Sequence, residues 1–190
     1  MNKAADKWNN IYSQQCCENA KAATVLAENV HLLPTTAKAL DMASGLGGNA
    51  ILMAKHHLQV EAWDISNIAL EKLNEYSRAN HLNITTKLRD IENNPPEKNY
   101  FNVIVVTQFL HRPTFNNLIE SLITGGLLIY QTFCIEKVDN IGPSNPNYLL
   151  EKNELLHLCR DMQILVYREE GLQGNTQQGW RNQAMVIAKK

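Results

Sequence analysis

The chain has 190 residues, of which 44% are apolar and 19% charged, with eighteen Lys and Arg against nineteen Asp and Glu and a net charge of −1. That length and composition fit a single folded domain with a core large enough to stand without crosslinks, and exclude a disordered chain. The near-neutral balance, without any dense Lys/Arg run, gives no general attraction to nucleic acid or anionic membrane, and no apolar run is long enough to span a bilayer.

Residues 1–33 read as a helical cap ahead of a core over 34–190. The start, Met1–Lys7, is polar and no signal-peptide apolar stretch follows, so the expected location is the cytoplasm. Residues 3–30 read as helix, with Ala20, Ala23, Leu26, Ala27 and Val30 on one apolar side, ended by Pro34. Lys38–Met42 is a short strand, followed by the turn Ser44-Gly45-Leu46-Gly47-Gly48 and a helix carrying Ile51, Leu52, Ala54 and Lys55. Gln59–Trp63 is the next strand and ends at Asp64. Ser66 then caps a helix through Asn80, with Ala69, Leu70, Leu73 and Tyr76 at helical spacing.

Ile84–Leu88 is a half-polar strand, which suggests a sheet edge, and Pro95-Pro96 mark a loop. Phe101–Thr107 is the most apolar strand and is expected at the centre. A helix over Phe115–Ile123 is followed by a turn at Gly125-Gly126 and a buried strand, Leu127–Phe133. Gly142, Pro143 and Pro146 mark an ordered loop, Glu154–Arg160 a helix, and Gln163–Arg168 and Gln183–Ala188 two closing strands. The alternation predicts an α/β fold: a three-layer α-β-α sandwich on a mostly parallel, seven-stranded, Rossmann-like sheet with a C-terminal antiparallel hairpin.

Cys16, Cys17, Cys134 and Cys159 form no CxxC pair, and the six His fall into no zinc-type spacing with them. They read as thiols in a reducing compartment, and no metal is expected.

The chemistry concentrates in Leu40-Asp41-Met42-Ala43-Ser44-Gly45-Leu46-Gly47-Gly48-Asn49-Ala50, entered by a strand and left by a helix. Gly45 and Gly47 allow close approach to a ligand, and the helix start offers free N–H groups. Gly45 to Ala50 also satisfies G-x-G-x-x-A, which keeps a nicotinamide- or flavin-dependent oxidoreductase open. Asp41 argues against it: a carboxylate there repels a diphosphate and suits a cationic ammonium, as in S-adenosylmethionine. Asp64, nineteen residues after Gly45, can accept from two ribose hydroxyls, which supports a nucleoside of either kind. Asp90, after the third strand, can accept from an adenine amino group while Ile91 packs on the ring.

These residues resemble the class I S-adenosylmethionine-dependent methyltransferases. Asp41–Gly47 matches the family's D-x-G-x-G-x-G with Ala43 in place of the first glycine. Asn49, with Trp8 and Tyr12, is similar to the tellurite-resistance and thiopurine-type branch. The resemblance implies that Asp41, Ala43, Gly45 and Gly47 surround the methionine end of the cofactor S-adenosyl-L-methionine. It further implies Asp64 on the ribose, Ile65, Asp90 and Ile91 at the adenine, and a backbone carbonyl of Thr107 or Gln108 on the ammonium. Trp8 and Tyr12 would close over the site. A domain that binds the cofactor without turnover is the other alternative.

After the central strand the chain reads Thr107-Gln108-Phe109-Leu110-His111-Arg112-Pro113, without the N/D-P-P-Y/F of amino-methylating members. A small-molecule acceptor is therefore expected, with no nucleic-acid or membrane partner and a monomer or homodimer. His111 is the candidate base, because His titrates near neutral pH. Arg112, Tyr148 and Trp180 are the candidate substrate contacts.

Overall fold

The computed structural model describes residues 3–190 and brings the chain's most apolar segments side by side in one sheet. Met1 and Asn2, the start of the expected cap, lie outside the described residues. The strands are β1 (Lys38–Met42), β2 (Gln59–Asp64), β3 (Ile84–Leu88), β4 (Phe101–Thr107), β5 (Leu122–Phe133), β6 (Gln163–Arg168) and β7 (Gln183–Lys189). Their spatial order is β3-β2-β1-β4-β5-β7-β6. The first five are parallel, and β7 pairs antiparallel with both β5 and β6. The half-polar β3 is at one edge, the apolar β4 is in the middle, and β6 and β7 close the other edge as a hairpin, as the sequence predicts.

The helices are α1 (Lys3–Ser13), α2 (Thr24–Ala27), α3 (Gly48–Lys55), α4 (Asn67–Ala79), α5 (Phe115–Ser121) and α6 (Glu154–Leu158). Two core clusters occupy opposite faces of the sheet, and β4 shows why. Val103 and Val105 point into the cluster with Val25, Ala50, Met53 and Leu73, while Ile104 and Val106 point into the one with Phe115, Leu118 and Leu155. A strand covered on both faces needs apolar residues at successive positions, which accounts for the run Val103–Val106 in β4.

The structure corrects three expectations. Residues 3–30 are not one helix: α1 ends at Ser13, and short 3-10 turns at Cys17–Asn19 and Val30–Leu32 flank α2. Side chains from elsewhere supply the partners that a continuous helix would have provided. Lys72 Nζ donates to the carbonyls of Tyr12, Ser13 and Gln15, while Asn49 and Gln131 accept from the N–H groups of Ala23 and Val25. Second, α5 stops at Ser121, and Gly125-Gly126 lies within β5 as a bulge rather than ahead of it. Lys190 takes both backbones: Gly125 N–H donates to its carbonyl and its N–H donates to that of Gly126. Third, α6 ends at Leu158, two residues early.

Strand β1 lies between β2 and β4, and the direction of winding reverses there. Loops from the carboxyl ends of β1 and β4 diverge to opposite faces at such a point and leave a crevice between them.

Candidate functional site

A cavity of about 1150 Å³ opens at that crevice. Its wall takes Ala43, Ser44, Gly45, Leu46, Gly48 and Asn49 from the turn after β1, and Asp64 and Ile65 from the end of β2. Arg89, Asp90, Ile91, Glu92 and Asn93 follow β3, and Thr107, Gln108 and Phe109 end β4. Gln131 of β5, Ala4, Trp8 and Tyr12 of α1 and the strap 13–24, apart from Cys17 and Glu18, complete it. Eight of the expected cofactor residues thus share one cavity with the two aromatics of the cap.

The turn is held from below by two carboxylates. Asp41 is fully buried; its Oδ2 accepts from Ala50 N–H at 2.9 Å and its Oδ1 from Asn49 Nδ2 at 3.3 Å. Burial pushes its carboxyl up to about 7 in spite of those bonds. Asp64 is 5% exposed; its Oδ2 accepts from Gly45 N–H and its Oδ1 from Ser66 N–H, each at 2.8 Å. Burial raises its pKa as well. Ser66 caps α4 by accepting from Ala69 N–H.

Two glycines have separate reasons. Gly45 has φ +51, and a methyl group there would lie 2.5 Å from the Tyr12 hydroxyl. Gly47 has φ +77, and its missing side chain makes room for Leu73 of α4. Ala43 takes the same left-handed conformation, φ +57, without being glycine.

The Trp8 and Tyr12 rings stack with centroids 5.6 Å apart, and α1 buries none of its residues. At the far end, Arg89 lies 4.0 Å over the Trp63 ring and donates to the carbonyls of Asn94 and Pro95, while Asp90 accepts from Asn93 Nδ2 at 2.9 Å.

Six candidates lie off the wall. Asp41 sits one layer behind it, holding the start of α3. Gly47 faces Leu73. His111 begins the 3-10 turn Arg112–Thr114, with Nδ1 3.3 Å from Thr114 Oγ1 and Nε2 4.0 Å from Glu92. Arg112 is consumed by structure: it donates to both Glu154 oxygens at 2.6 and 2.8 Å and to the carbonyls of Asn147 and Leu149. Tyr148 projects from the turn Pro146–Tyr148 and is half exposed. Trp180 packs against the core cluster that holds α3 and α4.

The sequence reading did not assign Gln131 or Arg89 to the wall, nor the roles of Asn49 and Ser44. Gln131 carried a signal, as a lone carboxamide in the apolar run Leu127–Phe133. Arg89 carried none beyond its place beside Asp90.

A family model described as Tellurite resistance protein TehB matches residues 6–184. Curated sequences from two Haemophilus influenzae strains, named "Probable S-adenosyl-L-methionine-dependent methyltransferase TehB", are 28% identical over 139 residues, covering 70% of this chain and 48% of theirs. The chain therefore spans about half the length of these curated relatives. The crystal structure of TehB from Haemophilus influenzae superposes with a TM-score of 0.72 at 25% identity, covering 96% of this chain and 67% of that one. A geranyl diphosphate C-methyltransferase from Streptomyces coelicolor A3(2), solved with S-adenosyl-L-homocysteine, shares the fold at 12% identity and a TM-score of 0.68, over 86% of this chain and 74% of its own. Among the described residues, no helix is long and apolar enough to cross a membrane, and no cluster of three His, Cys, Asp or Glu residues could hold a metal ion.

Proposed function

Since the chain belongs to the TehB family, within the class I S-adenosylmethionine-dependent methyltransferases, we propose that it transfers the methyl group of S-adenosyl-L-methionine to a small-molecule acceptor. The cavity carries this reading. Small-molecule sites span roughly 300–1,000 Å³, so one of about 1150 Å³ accommodates a nucleoside and a small co-substrate together.

The wall fits the cofactor. Ser44 Oγ is buried with no hydrogen-bond partner among the described residues, and a polar ligand atom would satisfy it. Asp64 uses one bond on each oxygen and keeps lone pairs for ribose hydroxyls. Ile91 offers an apolar face beside the Asp90 carboxylate for a purine ring. S-adenosylmethionine supplies, when bound, an electrophilic methyl carbon on a sulfonium. The protein's part is to bind, orient and exclude water, because aligned displacement at such a carbon needs little else. Trp8 and Tyr12 roof the site. Burial and the Asp64 and Asp41 carboxylates push the Tyr12 hydroxyl far above its ordinary pKa, so it stays protonated.

No histidine lines the cavity among the described residues. With Asp64 and Asp90 assigned to the cofactor, Glu92 is the wall carboxylate left over among the described residues, and the reading prefers an acceptor that attacks without a positioned base, a thiolate or chalcogenide, over an alcohol or amine. The family's description as a tellurite resistance protein points to the same chemistry. The whole chain is read as one domain, with residues up to 33 as its cap.

Thermal unfolding tests the cofactor. S-adenosylmethionine or S-adenosylhomocysteine at about 100 times its dissociation constant should stabilise by roughly 2.7 kcal/mol, a shift of several degrees. A shift with NAD alone would overturn the reading. Transfer from labelled S-adenosylmethionine to methanethiol or hydrogen selenide should then exceed transfer to phenol or a primary amine, and the reverse ranking would reject the soft acceptor.

A further inference from the structure

The carboxamide of Asn49 joins three parts of the molecule. Its Oδ1 accepts from Ala23 N–H in the strap at 2.9 Å. Its Nδ2 donates to Asp41 Oδ1 of β1 at 3.3 Å and to Thr107 Oγ1 of β4 at 3.0 Å. Asn49 is 6% exposed, and these bonds use both its amide protons.

The orientation of this amide is forced. A backbone N–H can only donate, so the atom facing Ala23 is the carbonyl oxygen and the atom facing β1 and β4 is the NH₂. Docking of the strap thus selects the amide orientation, which dictates the role of Thr107. Its oxygen accepts from Asn49, so its own proton points elsewhere. Among the described residues no acceptor takes that proton, and Thr107 lines the cavity.

We propose that Asn49 is a positioning residue: held by Ala23 N–H, it fixes the Thr107 hydroxyl as a hydrogen-bond donor to the carboxylate of the amino-acid tail of the ligand. The inference rests on the reading of the cavity as an S-adenosylmethionine site. Gln131 supports the same strap independently, since its Oε1 accepts from Val25 N–H at 2.8 Å and its Nε2 donates to Gln183 at 2.7 Å. The strap is therefore a built wall, and the residue between its two anchored amides, Thr24, also faces the cavity.

The test is calorimetric titration with S-adenosylhomocysteine, which has the amino-acid tail, and 5′-methylthioadenosine, which lacks it. Thr107→Val should weaken S-adenosylhomocysteine about tenfold, as expected for a lost bond to a charged group, and leave 5′-methylthioadenosine within twofold. Thr107→Ser should restore tail binding. Asn49→Asp keeps the acceptor for Ala23 but turns the donor into an acceptor that claims the Thr107 proton. It should weaken S-adenosylhomocysteine similarly, and adding Thr107→Val to it should cost less than threefold more. Equal losses for both ligands in Thr107→Val, failure of Thr107→Ser to rescue, or additive losses in the double variant would overturn the proposal. Failure of the unmodified protein to bind either ligand would instead defeat the cofactor reading.

Discussion

The Tyr12 hydroxyl lies directly against Gly45: a methyl group on Gly45 would meet it at 2.5 Å and the ring carbon that bears it at 2.9 Å. The helix that buries none of its residues is thus seated on the turn by one aromatic side chain, with Lys72 fastening its last carbonyls to α4. Gly45→Ala should therefore unseat α1. It should also force a left-handed alanine at φ +51, at a cost of about 1–2 kcal/mol. Lower melting temperature together with faster proteolysis within residues 3–20 would bear this out. Loss of stability with α1 equally protected would show that the hydroxyl seat is unimportant.

Ala43 offers the opposite experiment. Its φ of +57 is a conformation that glycine adopts at little steric cost. Ala43→Gly should stabilise the ligand-free protein by up to about 1 kcal/mol, a rise of roughly 2–4 °C in melting temperature. A fall would mean that the packing of its methyl group against the core outweighs the strain.

Asp64→Ala should remove the acceptor for Gly45 and Ser66 together with the ribose contact. An affinity for S-adenosylhomocysteine at least tenfold weaker is expected by calorimetry, since hydrogen bonds to charged groups are worth about 1.5–3 kcal/mol each. Unchanged affinity would remove Asp64 from the binding site.

Arg112→Ala separates structure from substrate binding. The Arg112 pairing with Glu154 is partly buried and two-pronged, so its loss should cost about 1–3 kcal/mol of stability while S-adenosylhomocysteine affinity stays within twofold. Hydrogen bonding from Arg112 holds the Glu154 carboxyl below its ordinary range against the cost of burial. That stability is present above the ordinary carboxylate value of 4.5 and disappears as pH falls through the lower folded-state value. The variant should therefore lose less stability than the unmodified protein on acidification below that point.

Asp41 acts with the other sign. Burial raises its carboxyl from 3.8 to about 7, so the folded state binds a proton that the unfolded chain has released. Its contribution makes stability fall as pH rises from about 4 to about 7 and level off above, and Asp64 adds to the same slope. In Asp41→Asn, urea midpoints between pH 5 and 7 should vary less with pH than in the unmodified protein. An unchanged slope would assign the dependence to other groups.

The central and edge strands and the position of the turn could be read from the chain because they follow from local pattern. An apolar run such as Val103–Val106 belongs where both faces are covered, and a half-polar strand such as Ile84–Leu88 belongs at an edge. The places of Asp64 and Asp90 were legible for the same reason: Asp64 ends a strand and Asp90 follows one, and in a parallel sheet strand ends converge on one rim. His111 and Arg112 also follow a strand, but the chain turns there into a 3-10 segment that carries Arg112 to Glu154, 42 residues away. Nothing in the neighbouring sequence announces that partner.

The sequence by itself therefore determined the sheet, the crevice and the residue types at its rim, since these depend on period, burial and spacing along the chain. Folding in three dimensions decided how the polar groups are spent. Asp41 went to the start of α3, Arg112 to Glu154, and Asn49 and Gln131 to backbone amides of a strap more than twenty residues distant. A buried hydrogen-bonding group must find its partner wherever packing presents one, and that choice is made across the fold rather than along the chain.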